Sequence, residues 1–391
     1  VVGLVGSEMC IRDRASAYPD GPCLYMAMEL SASKWRLAFS PGGQRIRARV
    51  IGAGDCEGLV REIATARKRF GLPEEAKVVS CYEAGRDGFW IHRRLSDLGI
   101  DNVVIDPASM RVNRRARRAK TDAIDAKQLL ADLIRHARGE KDVWRVVRIP
   151  SEKQEDQRRL HRELERLKKE RTQHRVRMQS LLVTQGVPTG HLKAFLVELD
   201  AVRIWNGRPL PPGLKVEIER ERDRLRLVEE QIRAIRKEQR RQLKQANSPE
   251  LKTIQLMARL RGIGVDSAWI FGMEMFAWRK FNNRREVGGA SGLTGTPYNS
   301  GSSEHEQGIS KAGNPLVRTR AIELAWLWIQ YQPHSELSRW FTRRYARGGS
   351  RMRRVGIVAV ARKLLIDLWH LVEHGVVPKG AIIDLTEAHS G

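Results

Sequence analysis

Short apolar runs broken by turn residues fill the first third of the chain, and long charged stretches with apolar residues at three- and four-residue steps fill the middle. Leu24 to Leu30, Trp35 to Ser40 and Gln44 to Ile51 predict three strands, separated by turns at Ser31-Ala32-Ser33 and Pro41-Gly42-Gly43. A helix over Gly58 to Phe70, a strand over Lys77 to Tyr82, a helix over Phe89 to Leu98 and a strand over Asn102 to Asp106 come next. Three antiparallel strands followed by alternating helix and strand is the ribonuclease H-like order.

From Ser151 to about Asn247 the period becomes helical. Leu160, Leu164, Leu167, Arg171, His174, Met178 and Leu181 form one set of alternating steps, and Leu214, Ile218, Leu225, Val228, Ile232 and Ile235 form another. The two sets predict the arms of a coiled-coil hairpin. The breakers Gly186, Pro188, Gly190, Gly207, Pro209, Pro211, Pro212 and Gly213 divide them. Arg171 and His174 at core positions weaken the first arm and favour either a specific pairing or a partner. Beyond Ser248, Leu260-Arg261-Gly262-Ile263-Gly264-Val265 reads as a helix-hairpin-helix-like turn, able to offer backbone N–H groups to a phosphate. A glycine-rich loop is expected over Gly288 to Gly313. Asn314-Pro315 then caps a helix through about Tyr331, and two more helices follow, separated by Arg343, Arg344, Arg347, Arg351, Arg353 and Arg354.

Charge narrows the class of partner. The chain has 391 residues, 71 Lys+Arg against 46 Asp+Glu, a net charge of +25 and a pI near 10.5, which points to a polyanion as the neutralising partner. With 41% hydrophobic residues it can bury a core, so it is not a disordered tail. Cys10, Cys23, Cys56 and Cys81 lack zinc-site spacing and read as reduced thiols of a cytoplasmic protein. No apolar run approaches the ~20 residues of a membrane span. Residues 1–22 read as a leader outside the fold, non-native or disordered, with Val1 to Arg14 unlike the patterned strands beyond it and a native start near Met26 or Met28. The expected organisation is therefore a leader over 1–22, an α/β domain over 23–150, a coiled-coil region over 151–247 and a mainly helical domain over 248–391.

The chemistry concentrates in Lys120-Thr121-Asp122-Ala123-Ile124-Asp125-Ala126. Asp122 and Asp125, three residues apart on a helix, share a face, and oxygen ligands of this kind suit Mg²⁺ or Mn²⁺. Arg114, Arg115, Arg117, Arg118 and Lys120 lead into them and would bring phosphates to that metal. Glu29 in the first strand and Glu83 at the end of the fourth belong to strands that neighbour each other in a ribonuclease H-like sheet. Four carboxylates converging there would polarise a phosphate. On spacing alone, Glu83 fits a strand end facing solvent as well as a ligand, and Glu29 fits the strand end better.

These residues resemble the IS one-ten family of insertion-sequence transposases. Ala27-Met28-Glu29-Leu30, Tyr82-Glu83-Ala84-Gly85 and the Lys120 to Ala126 string look like its DEDD signature. Leu293-Thr294-Gly295-Thr296-Pro297, Ser300-Gly301 and Gly308-Ile309-Ser310-Lys311-Ala312-Gly313-Asn314-Pro315 look like its second catalytic domain. The resemblance implies a RuvC-like domain, a coiled-coil insertion and a C-terminal transposase domain with Ser300 as nucleophile. It implies Glu29, Glu83, Asp122 and Asp125 as Mg²⁺ ligands, with Glu29 standing where the family has aspartate. It further implies double-stranded donor and target DNA, a structured guide RNA encoded by the element, a homodimer or dimer of dimers, and a bacterial or archaeal cytoplasm, at the nucleoid. Lys311, Arg318, Arg343, Arg344, Arg351 and Arg353 are candidates for gripping nucleic-acid phosphates. Two further readings are a RuvC-like structure-selective nuclease using water, and an inactive transposase that binds nucleic acid.

Overall fold

The computed structural model describes residues 21–110, 122–140, 143–188, 198–245, 247–300 and 303–384, with the side chains of 108, 122–124 and 297–307 left aside. Residues 1–20 of the expected leader and Arg114, Arg115, Arg117, Arg118 and Lys120 lie outside the described residues. The chain divides into two compact units, Val1–Ile149 and Pro150–Gly391.

The first unit is a five-stranded sheet in the order β3-β2-β1-β4-β5. Its strands are β1 (Cys23–Leu30), β2 (Lys34–Ser40), β3 (Arg47–Gly52), β4 (Lys77–Glu83) and β5 (Asp101–Ile105). β1 to β3 pair antiparallel, whereas β1, β4 and β5 pair parallel. Alternation along the central strands separates two faces. Leu24, Met26, Met28, Trp35, Leu37, Phe39, Val78 and Tyr82 pack with Leu59, Ile63 and Ala66 of α1 (Cys56–Phe70) and with Ile91 and Leu95 of α2 (Trp90–Asp97). Ala27, Ala38, Val79 and Cys81 face Ala126, Leu129, Leu130 and Leu133 of α3 (Asp122–Ala137). Helices thus cover both faces of a mixed sheet. Cys23 and Leu24, ahead of Met26, are already buried members of β1. β3 starts three residues later than expected because Ser40 Oγ bonds the Gly43 carbonyl at 3.0 Å and the Gly42 N–H at 3.1 Å, lengthening the turn.

The second unit is mainly helical. α4 (Glu152–Gln157) leads into two long helices, α5 (Arg159–Val183) and α6 (Pro212–Gln245). Met178 and Leu182 meet Ile218 and Leu225, while Leu164 and Leu167 meet Val228, Ile232 and Ile235, so the two helices run antiparallel. The buried residue near the end of α5 is Leu182, with Leu181 only partly covered. A larger core unites α7 (Pro249–Ala258), α8 (Val265–Phe271), α9 (Arg284–Ser291), α10 (Pro315–Tyr331), α11 (Glu336–Tyr345) and α12 (Ser350–His374).

Two local expectations change. The stretch over 288–313 is not a loop throughout: α9 ends at Ser291, and β6 (Gly295–Ser300) pairs antiparallel with β7 (Ser303–Ile309). Glycines at strand ends and polar residues between them disguise the hairpin, since only an apolar alternation would announce it. The arginine run straddles the break between two helices rather than filling it, with Arg347, Gly348 and Gly349 between them. Arg343 and Arg344 end α11, and Arg351 and Arg353 lie in the first turn of α12.

Candidate nucleic-acid-processing centres

The parallel pairing of β1 with β4 brings the first two candidate carboxylates together. Its register places Ala27 beside Cys81 and Met28 beside Tyr82, so Glu29 and Glu83 occupy the next step at the carboxyl ends of the two strands. Adjacent strands lie ~4.8 Å apart. Glu29 follows Ala27 by two residues and Glu83 follows Cys81 by two, which puts both glutamates on the face that α3 covers. Cys81 Sγ donates to the Leu129 carbonyl of α3 at 3.9 Å, and burial, with the nearby charges of Asp132 and Glu83, pushes the Cys81 thiol up. Asp125 lies in the first turn of α3, four residues ahead of Leu129 and next to buried Ala126. Asp122 starts the same helix, and its side chain lies outside the described residues.

A cleft of about 290 Å³ opens at this edge, lined by Glu29, Glu83, Arg86, Asp87 and Gly88 among others. Asp87 is a carboxylate the sequence reading missed, and it pairs with Arg86 at 3.4 Å. The chemistry of this donor set, carboxylate oxygens alone, suits a hard cation such as Mg²⁺. Among the described residues, however, no group of three or more His, Cys, Asp or Glu side chains is placed to hold a metal ion.

Ser300 closes the other candidate centre. It is the last residue of β6, paired with Ser303 across the tip of the hairpin, whose Gly301 and Ser302 lie outside the described residues. The base of the hairpin is tightly tied. Ser310 N–H donates to Thr294 O at 2.8 Å, Lys311 N–H to Gly292 O at 3.1 Å and Asn314 N–H to Ala290 O at 3.0 Å. Glycine is required at two of these contacts: a Cβ on Gly292 would lie 2.5 Å from Ala312 O, and one on Gly313 2.5 Å from Ala290 O. Lys311 adopts φ 56°, the one positive φ outside glycine among the described residues, and its side chain is exposed. Arg318 donates to Lys311 O at 2.9 Å, so its guanidinium also clamps this turn. Asn314 caps α10, its Oδ1 accepting from Leu316 N–H at 2.9 Å and Val317 N–H at 3.4 Å.

Two buried carboxylates escaped the sequence reading. Glu274 is the lone charge in the apolar run Ala268 to Trp278, which was the available signal. Glu221 fills the gap between Ile218 and Leu225 in the steps of α6. His174, expected at a core position, donates to Glu221 at 2.6 Å, with Arg177 at 2.8 Å and Arg224 at 2.6 Å. Arg343, Arg344, Arg351 and Arg353 are all exposed. Three arginines, Arg351, Arg353 and Arg354, at the start of α12 oppose the helix dipole, which favours negative charge there.

The family model described as "Transposase IS116/IS110/IS902 family" matches residues 254–339, which contain the Ser300 hairpin and the Asn314 cap. A second, DEDD-type IS110 model described as "Transposase" matches residues 53–185, with Glu83, Asp122 and Asp125 inside it. The chain is 41% identical over 379 residues to "Putative transposase y4rJ" of Sinorhizobium fredii (strain NBRC 101917 / NGR234), covering 92% of this chain and 94% of that one. It belongs to the IS110 family of transposases. More distant relatives are the "Transposase for insertion sequence element IS1328" of Yersinia enterocolitica, 25% identical over 73% of this chain and 80% of that one, and "Putative transposase y4qE" of S. fredii, 25% identical over 79% and 72%. As an IS110-family transposase the protein is an enzyme of DNA strand cleavage and transfer. Among the described residues no helix is long and apolar enough to cross a membrane.

Proposed function

We propose that this IS110-family transposase is an RNA-guided recombinase that joins DNA through a covalent link to Ser300, assisted by a carboxylate-held Mg²⁺. The in-register ends of β1 and β4, which set Glu29 beside Glu83 on the α3 face, are the observation that carries the reading. The sheet order, three antiparallel strands continued by two parallel ones, supports a ribonuclease H-like, RuvC-type domain over 23–150. The antiparallel long helices support a coiled-coil hairpin over 151–247, followed by a transposase domain over 248–391.

Glu29, Glu83, Asp122 and Asp125 would hold the Mg²⁺, which when bound neutralises charge on the phosphate undergoing substitution. Ser300 Oγ attacks the phosphorus and gives up its proton, while the departing DNA hydroxyl takes one. The ester keeps the bond energy of the phosphodiester, so a second DNA hydroxyl can displace the serine without a nucleotide cofactor. Lys311 and the exposed arginines of α11 and α12 grip phosphates of DNA or of the structured guide RNA. The arginines set against the α12 dipole support this use, because a polyanion at the helix start removes the conflict. The enzyme acts as a homodimer or dimer of dimers.

The test is to express the protein with its flanking non-coding DNA, sequence the RNA that copurifies, and assay strand joining with Ser300→Ala and Asp125→Asn variants. One structured RNA from the flank, with joining lost in both variants, supports the reading. Mg²⁺-dependent cleavage by Ser300→Ala at the wild-type rate, with no joining and no covalent adduct, would transfer support to a metal-dependent nuclease with water as nucleophile.

A further inference from the structure

Glu274 carries a buried charge that neither centre uses. Its side chain is 1% exposed, on a π-helical turn over Gly272–Phe276. Such turns recur at functional sites. One oxygen accepts from His161 Nε2 at 2.7 Å and Arg162 Nε at 2.6 Å, the other from Arg162 Nη2 at 2.9 Å and Asn314 Nδ2 at 2.9 Å. Burial opposes ionisation, yet the hydrogen bonds from His161 and Arg162 outweigh it and hold the carboxyl at about 2. A charged pair alone would be satisfied by His161 and Arg162. Asn314 adds something different, because the same side chain caps α10 and its backbone N–H is tied to Ala290 at the base of the hairpin.

The segment that Asn314 ends has little freedom of its own. Gly292 and Gly313 pack with no room for a Cβ, and the backbone bonds at Ser310, Lys311 and Asn314 stitch 310–314 to 290–294. Where Asn314 sits therefore decides where the turn sits, along with the hairpin and the left-handed Lys311 it carries.

We propose that Glu274 is a positioning residue for strand transfer, acting through Asn314 to fix the base of the Ser300 hairpin. This rests on the reading that the Ser300 hairpin works on DNA. Asn314→Asp isolates the tie, since aspartate caps a helix as well as asparagine but meets Glu274 with like charge. The Glu274→Gln/Asn314→Asp double variant removes the like charge and lets the new amide donate to the new carboxylate, while losing the bond that Arg162 Nη2 makes to the same oxygen.

The experiment uses the full chain with its copurified RNA and a plasmid bearing the element end, and it measures single-turnover cleavage rate, plasmid affinity and melting temperature. Asn314→Asp is expected to cleave about tenfold slower with affinity within about twofold, and the double variant to cleave about threefold faster than Asn314→Asp. Asn314→Ser, which keeps the cap but removes the amide Nδ2 that reaches Glu274, is expected to slow cleavage without a large fall in melting temperature, and serves if Asn314→Asp does not fold. Wild-type rates in these single variants, or a double variant as slow as Asn314→Asp, overturn the proposal. Ser300→Ala in the same panel separates the two readings: activity there removes the serine mechanism, whereas a dead Ser300→Ala beside an unaffected Asn314→Ser or Asn314→Asp removes only the positioning role.

Discussion

Replacing Glu221 with glutamine should loosen the two long helices, and the loss should shrink in acid. The Glu221 side chain is 4% exposed and bonded to His174, Arg177 and Arg224. Burial works against its charge, but the hydrogen bonds from His174 and Arg177 prevail and hold the carboxyl at about 2, against 4.5 for the free side chain. With the folded value below the unfolded one, stabilisation is full above about pH 4.5 and disappears as the pH falls through about 2. The difference corresponds to about 3.4 kcal/mol at neutral pH. Arg177 and Arg224 are 52% and 56% exposed, so solvent screening lowers the expected figure to roughly 2 kcal/mol. At pH 3.5 roughly 1.2 kcal/mol of that remains. Hydrogen exchange over residues 170–182 and 216–228 reads the change locally. Glu221→Gln should exchange roughly 30-fold faster than wild type at pH 7 and roughly eightfold faster at pH 3.5. Exchange within twofold of wild type at pH 7, or a ratio that grows in acid, would refute the reasoning.

Other substitutions probe separate parts of the molecule. Lys311→Gly relieves a left-handed residue and should stabilise by about 1 kcal/mol while slowing strand transfer; a lower melting temperature with transfer unchanged would contradict this. Burial pushes Asp367 up to about 6 despite Lys363, so its ionisation weakens the fold as the pH rises from 3.8 through 6. Asp367→Asn should raise stability at pH 8 by roughly 2–3 kcal/mol and change little at pH 4; equal shifts at both pH values would count against it. Glu29→Asp should keep or raise Mg²⁺-dependent cleavage, and Glu29→Gln should abolish it, so full activity in Glu29→Gln would remove this residue from the metal site.

Strands and helices of the first unit were readable within two residues, apart from the start of β3, because alternation and turn residues agree there. Tyr82 and Met28 show why the faces were readable too: each is apolar where the α1 and α2 side needs it, while Ala27 and Cys81 are small where α3 approaches. The hairpin carrying Ser300 was hidden, since polar strands with glycine ends look like a loop. His174 was visible as an oddity in a helical repeat, but its partner was visible only as a missing step at Glu221. Glu274 passed unnoticed as a single charge in an apolar run, and its bonds to His161 and Asn314 span 113 and 40 residues, which local pattern does not report. Arginines could be counted in sequence, but not that three of them sit at the start of α12.

The most direct test of the serine mechanism is to trap protein on DNA. The RNA-loaded enzyme would be incubated with Mg²⁺ and a nicked element-end duplex that releases its cleaved fragment, then denatured, and the DNA-linked peptide sequenced by mass spectrometry. A phosphodiester remnant on Ser300, absent from Ser300→Ala, is the expected result. Cleaved DNA with no linked peptide, or a remnant on another residue, would contradict it.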